Sequence, residues 1–100
     1  MTKRERKINE NRLRNLVCAH LPKKAQDEGG YPVQLDHCFA RLAYDAAVGQ
    51  CWRDVVEPPF YKNATNDILQ AAVMHAEEML REASHAEKLQ AMSLRWRGKD

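Results

Sequence analysis

Glycine and proline are scarce in this 100-residue chain, four of each, so few positions force the backbone to turn. No run of apolar residues approaches the ~18 needed to span a bilayer, which excludes a membrane helix. The opening "MTKRERKINENR" has no apolar core, so it does not read as a secretory signal. Cysteines number three, Cys18, Cys38 and Cys51. An odd, small set without an export signal excludes a disulfide framework and favours reduced thiols in the cytoplasm. There are no repeats, no low-complexity tract and no Gly/Ser linker. There is no alternating Val/Ile/Thr segment of the kind that makes a strand.

What is present is charge and helical periodicity. Charged residues are 30% of the chain and hydrophobic residues 44%, with a net charge of +2. A near-neutral balance excludes a nucleic-acid mimic, which needs a strongly acidic surface. The balance is uneven along the chain: residues 1–24 carry eight Lys/Arg against two Glu, a net of +6, and residues 25–100 carry eight Lys/Arg against twelve Asp/Glu, a net of −4. A basic end of this kind suits nucleic acid, an acidic protein surface or an anionic membrane, of which the membrane is not expected as a partner.

The Gly and Pro residues that do occur cut the chain into three segments, with connections "LPKKAQDEGGYP" at 21–32 and "EPPFYKNATN" at 57–66. The first segment runs from Thr2, a helix-capping residue, to Pro22, which ends it. Leu13, Leu16, Val17 and Leu21 share its apolar face. Residues 1–12 hold little besides charge, which predicts a basic extension outside a domain spanning 13–100. The second segment, about 33–56, is apolar on two sides. Leu35, Phe39, Leu42 and Ala46 lie on one, continued by Gly49 as a point of close approach. His37, Arg41, Tyr44, Val48, Cys51 and Val55 lie on the other, with Trp52 beside it. A helix apolar on two sides is central. The third segment, about 66–96, starts at Thr65 or Asn66 and carries the stripe Leu69, Ala72, Val73, Ala76, Leu80, Ala83. A second stripe, His85, Leu89, Met92, Trp96, begins about half a turn away around the axis. The helix therefore either bends near Ser84 or turns its end toward something else. Together these patterns predict an all-α domain of three helices in a small bundle, with a long C-terminal helix.

The densest chemistry is "QLDHCFARLAYD" at 34–45. His37, Arg41 and Tyr44 could move a proton and hold an anion, the set a small enzyme would use. His37 and Asp45 are about 12 Å apart along a helix, however, and Asp45 pairs more naturally with Arg41 one turn away. Cys18, His20, His37 and Cys38 are metal-binding types at spacings that suit no zinc site, so no metal and no cofactor is expected, and the two cysteines read as core residues. The sequence has no Gly-rich phosphate loop. Two surfaces remain as partner-binding candidates. One is the basic end, Lys3, Arg4, Arg6, Lys7, Arg12 and Arg14. The other is the C-terminal strip of Leu89, Met92 and Trp96 flanked by Arg95 and Arg97, the composition of an interface hot spot. The expectation is a non-enzymatic adaptor, regulator or inhibitor that binds a protein or nucleoprotein complex, or a second copy of itself. An inhibitor of the size that phages and mobile elements encode is one concrete form. A basic nucleic-acid-binding accessory protein is the alternative, and a small enzyme using His37, Arg41 and Tyr44 the third.

Overall fold

The computed structural model describes residues 2–99. The fold is all-α, with no strand among these residues. The three expected segments yield four α-helices, α1 (Lys3–Asn15), α3 (Asp36–Val48), α5 (Asn66–Arg81) and α6 (Ala83–Trp96), and the two expected connections hold two more, α2 (Leu21–Glu28) and α4 (Phe60–Asn63). They pack into a body of 36 × 30 × 17 Å. Helix α3 is the hub, lying against α2, α5 and α6.

Capping follows the residue chemistry. The Thr2 side chain accepts the Glu5 N–H at 3.1 Å, and that of Thr65 accepts the Ile68 N–H at 3.3 Å. Pro22 does not end the first rod, contrary to expectation. Residues Leu16–His20 wind as a π turn, and the Leu21 N–H reaches back to the Leu16 carbonyl. Pro22 then enters in the first turn of α2, directly behind the widened turn, where its ring and missing N–H are tolerated. Gly29 and Gly30, both at positive φ, close α2.

Helix α3 stops eight residues earlier than the pattern implied. Gly49, at φ +77°, caps it by donating to the Asp45 carbonyl at 2.8 Å. A Cβ at Gly49 would meet nothing within 4 Å, so the glycine serves the left-handed turn and not a close helix approach. Leu35 precedes α3 and is 53% exposed, and Val55 lies beyond it at 51%, so neither extends an apolar face.

The long C-terminal helix is two helices. Glu82 takes extended backbone (φ −138°, ψ 118°) and separates α5 from α6. The last carbonyls of α5 are satisfied from α2 and the segment after it. Tyr31 Oη donates to Met79 O at 2.8 Å, and Lys24 Nζ donates to Leu80 O. The break lets α6 turn its second stripe inward, where Ala86, Leu89 and Ser93 are buried. Of the upstream stripe, Leu69, Ala72, Val73 and Ala76 are buried as expected. Met79 takes the deep position, and Leu80 is only half-buried against the core.

Residues 3–12 do not project freely. They continue the helix that carries Leu13 into the core. Arg6 anchors them: Nη2 donates to the carbonyls of Ala64 (2.7 Å), Lys62 (3.2 Å) and Tyr61 (3.3 Å), and Nη1 donates to Asn66 Oδ1 at 2.7 Å. A guanidinium thus closes the C-terminal end of the one-turn α4. Arg12 pairs with Glu77 of α5 at 2.7 Å.

Candidate functional site

The end of the molecule where α3 meets α6 is built around one buried carboxylate. Asp45 has no exposed surface. It sits between Leu42 and Ala46 on a helix whose neighbours are apolar, so it is the polar exception in that stretch. Each Asp45 oxygen accepts two bonds. Oδ1 receives the Trp52 N–H at 2.9 Å and Arg97 Nη2 at 3.0 Å, and Oδ2 receives Ser93 Oγ at 2.6 Å and Arg97 Nε at 2.8 Å. Four donors fill the four acceptor positions of a carboxylate. Asp45 therefore pairs with Arg97 of the chain's far end, and not with Arg41 as the one-turn spacing suggested. The hydrogen bond to Asp45 holds the Arg97 guanidinium above its ordinary pKa despite partial burial.

Arg41 is held through the same network. Its Nη1 donates to Ser93 Oγ at 2.7 Å and its Nη2 to Gln90 Oε1 at 2.6 Å. Ser93 gives its proton to Asp45, which leaves its oxygen lone pairs facing Arg41. Asp45 thus orients Ser93, and Ser93 orients Arg41.

The outer face of this network is a cleft of about 280 Å³ lined by His37, Arg41, Tyr44, Trp52, Arg53 and Arg97. The structure thus brings His37, Arg41 and Tyr44 together. Trp52, which spacing placed beside that face, joins them, and the structure adds Arg53 and the Asp45–Ser93–Arg97 scaffold, which helical spacing alone did not connect. The Tyr44 ring stacks on Phe60 with centroids 3.9 Å apart and meets the Trp52 edge at 5.4 Å. Burial pushes the Tyr44 phenol up to about 12, with Cys18 and Tyr61 adding to the shift, so it stays protonated at neutral pH. The Arg53 guanidinium lies over the Trp52 ring, 5.2 Å from its centre. His37 is exposed, 3.5 Å from Asp36.

The other candidates fall as follows. Lys3, Arg4, Lys7 and Arg14 are exposed on α1. Lys3, Lys7 and Arg14 share one strip of that helix, with Arg4 beside it. Arg14 lies over the Tyr61 ring at 5.3 Å. Arg6 and Arg12 are committed to the internal bonds described above. Leu89 is only 2% exposed and Met92 packs against the core, so the expected strip of Leu89, Met92 and Trp96 is not a surface. The Glu82 break rolled it onto α3. Trp96 and Arg97 are half-buried and Arg95 is exposed.

Cys18 and His20 are exposed, so Cys18 is not the core residue expected; Cys38 is half-buried. Among the described residues, no three His, Cys, Asp or Glu side chains form a metal-holding group, and no helix is long and apolar enough to cross a membrane.

A separate pair, His75 of α5 and His85 of α6, spans the Glu82 break with rings nearly parallel (8°) and Nδ1 to Nε2 at 3.1 Å. Burial lowers both imidazoles below their ordinary 6.5; for His75 its partner His85 adds to this, and for His85 Glu78 opposes it. The unfolded chain then takes up protons near pH 6.5 that the folded chain refuses, so stability is lost as pH falls below about 6.5. Urea midpoints measured between about pH 7.5 and 5 should show this decline. The double variant His75→Gln/His85→Gln should flatten it, and an equally steep decline in that variant would show that other groups cause it.

Comparison of the chain with protein-family models, with curated proteins and with solved structures finds no match in any of the three.

Proposed function

We propose that this protein is a small, non-enzymatic interaction module that engages an acidic surface of a protein or nucleoprotein complex through α1. One observation carries this reading. Lys3, Arg4 and Lys7 stand exposed on an ordered helix with no ion-pair partner among the described residues, and Arg14 extends their strip, while Arg6 and Arg12 of the same helix are spent on anchoring it. A rigid basic strip loses less side-chain and backbone freedom on binding than a frayed tail. At the α3–α6 cleft neither Asp45 nor Tyr44 is free to act as a general base, and the imidazole at its rim is the exposed His37. Asp45 has no acceptor position left, and Tyr44 stays protonated.

The triple variant Lys3→Glu/Lys7→Glu/Arg14→Glu should keep its helical circular dichroism. Affinity capture from the native host, with and without nuclease, should recover a partner with the wild-type chain and lose it with this variant. Recovery by the variant would remove α1 as the docking surface. Loss of the partner on nuclease treatment would favour the nucleic-acid reading, in which affinity falls steeply with salt because phosphate contacts release counterions.

A further inference from the structure

The α3–α6 cleft is a second cationic surface, distinct from α1, and its charge is not balanced from within. Among the described residues, three guanidinium groups line it and no carboxylate does. Arg97 is answered by Asp45. Arg41 is half-buried, and its hydrogen bonds go to a hydroxyl and an amide oxygen, both neutral. Arg53 rests on an aromatic face. Among the described residues, neither Arg41 nor Arg53 has a carboxylate within ion-pair distance. Asp54, exposed and next to Arg53 in the chain, acts on Arg97 only through space.

We propose that this cleft binds a dianionic phosphate group, free or as a monoester, with Arg41 and Arg53 as its principal ligands. Two unanswered positive charges match a phosphate dianion, whereas a carboxylate would leave one over. The donors are in hand as well. An arginine has five N–H groups. Arg41 uses two of them on Ser93 and Gln90, and Arg97 uses two on Asp45, so each keeps three. Planar guanidinium groups pair with phosphate oxygens two at a time, which lysines cannot do. The site is also built in advance. The chain Asp45, Ser93, Arg41 holds one guanidinium in place, and the Trp52 ring carries another, so binding does not have to order them. In a half-enclosed cleft such charges are screened less than on an open surface.

This proposal is independent of α1. Its test follows the Trp52 indole and arginine side-chain resonances of the isotope-labelled full chain. Inorganic phosphate, O-phosphoserine and adenosine 5′-monophosphate are each titrated against sodium chloride at matched ionic strength. A saturable shift with at least one phosphate compound and none with chloride is expected, and tighter binding of either ester than of phosphate identifies the carrier. Arg53→Ala, at an exposed position that leaves the fold intact, should weaken binding by roughly tenfold or more, as loss of one charge-assisted contact implies. Arg41→Gln should weaken it further, while Lys3→Ala should leave it unchanged. The proposal is overturned if chloride reproduces the shift, if Arg53→Ala binds phosphate as tightly as the wild type, or if Lys3→Ala weakens binding as much as Arg53→Ala does.

Discussion

Asp45→Ala is expected to destabilise the fold by about 3–5 kcal/mol, the range for breaking a buried ion pair from one side. The carboxylate is wholly buried and receives four hydrogen bonds. Removing it leaves a half-buried guanidinium, a buried hydroxyl and a backbone N–H without an acceptor, and it releases the hold of Ser93 on Arg41. Asp45→Asn should cost less, because one acceptor oxygen remains. Urea denaturation followed by circular dichroism reads both values. Because Asp45 and Arg97 belong to one network, the double variant Asp45→Ala/Arg97→Ala should fall well short of the sum of the single costs. A loss below about 1 kcal/mol for Asp45→Ala would mean that water replaces the missing acceptor and that α6 is not held by this bond.

Phe60→Ala is expected to cost about 3–5 kcal/mol, as for other buried aromatics truncated to alanine. Phe60 is 2% exposed, stacks on Tyr44 and meets Trp52 edge-on at 5.6 Å. It is also the anchor of α4, a four-residue helix far too short to persist in water by itself. Losing that anchor should free the Tyr61, Lys62 and Ala64 carbonyls that hold Arg6. A second readout follows: amide exchange in residues 3–12 should accelerate more in Phe60→Ala than in a core variant of equal cost elsewhere, such as Leu42→Ala. If exchange there is unchanged, α1 is held by Leu13 and Arg12 alone.

Both expectations depend on features that local patterns do not carry. The sequence by itself determined the all-α class, through apolar residues recurring at helical spacing and the lack of alternating segments. It determined where α1 and α5 begin, because Thr2 and Thr65 cap through their own side chains. It determined the turn at Gly29 and Gly30, and the basic bias of the first 24 residues. Each of these is a property of neighbours within about one helical turn, and such properties survive in any context.

The tertiary structure decided the rest. "LREASHA" across the break at Glu82 is made of residues that favour or tolerate a helix, so the shift of stripe left a bend near Ser84 as one of two readings and local chemistry could not choose between them. The break exists because Tyr31 and Lys24 satisfy the open carbonyls of α5, and because Ala86, Leu89 and Ser93 gain burial against α3 once α6 folds back. The same event turned the Leu89–Met92 strip from an expected surface into core. Pro22 continues a rod because Leu16–His20 could widen by one residue to accommodate it. The Asp45–Arg97 pair joins residues separated by half the chain. From sequence, a lone carboxylate on an apolar helix signals only that some donor must reach it. Which donor does so is set by the packing that brings α6 across α3, and that packing also gathers His37, Arg41, Trp52 and Arg53 into one cleft.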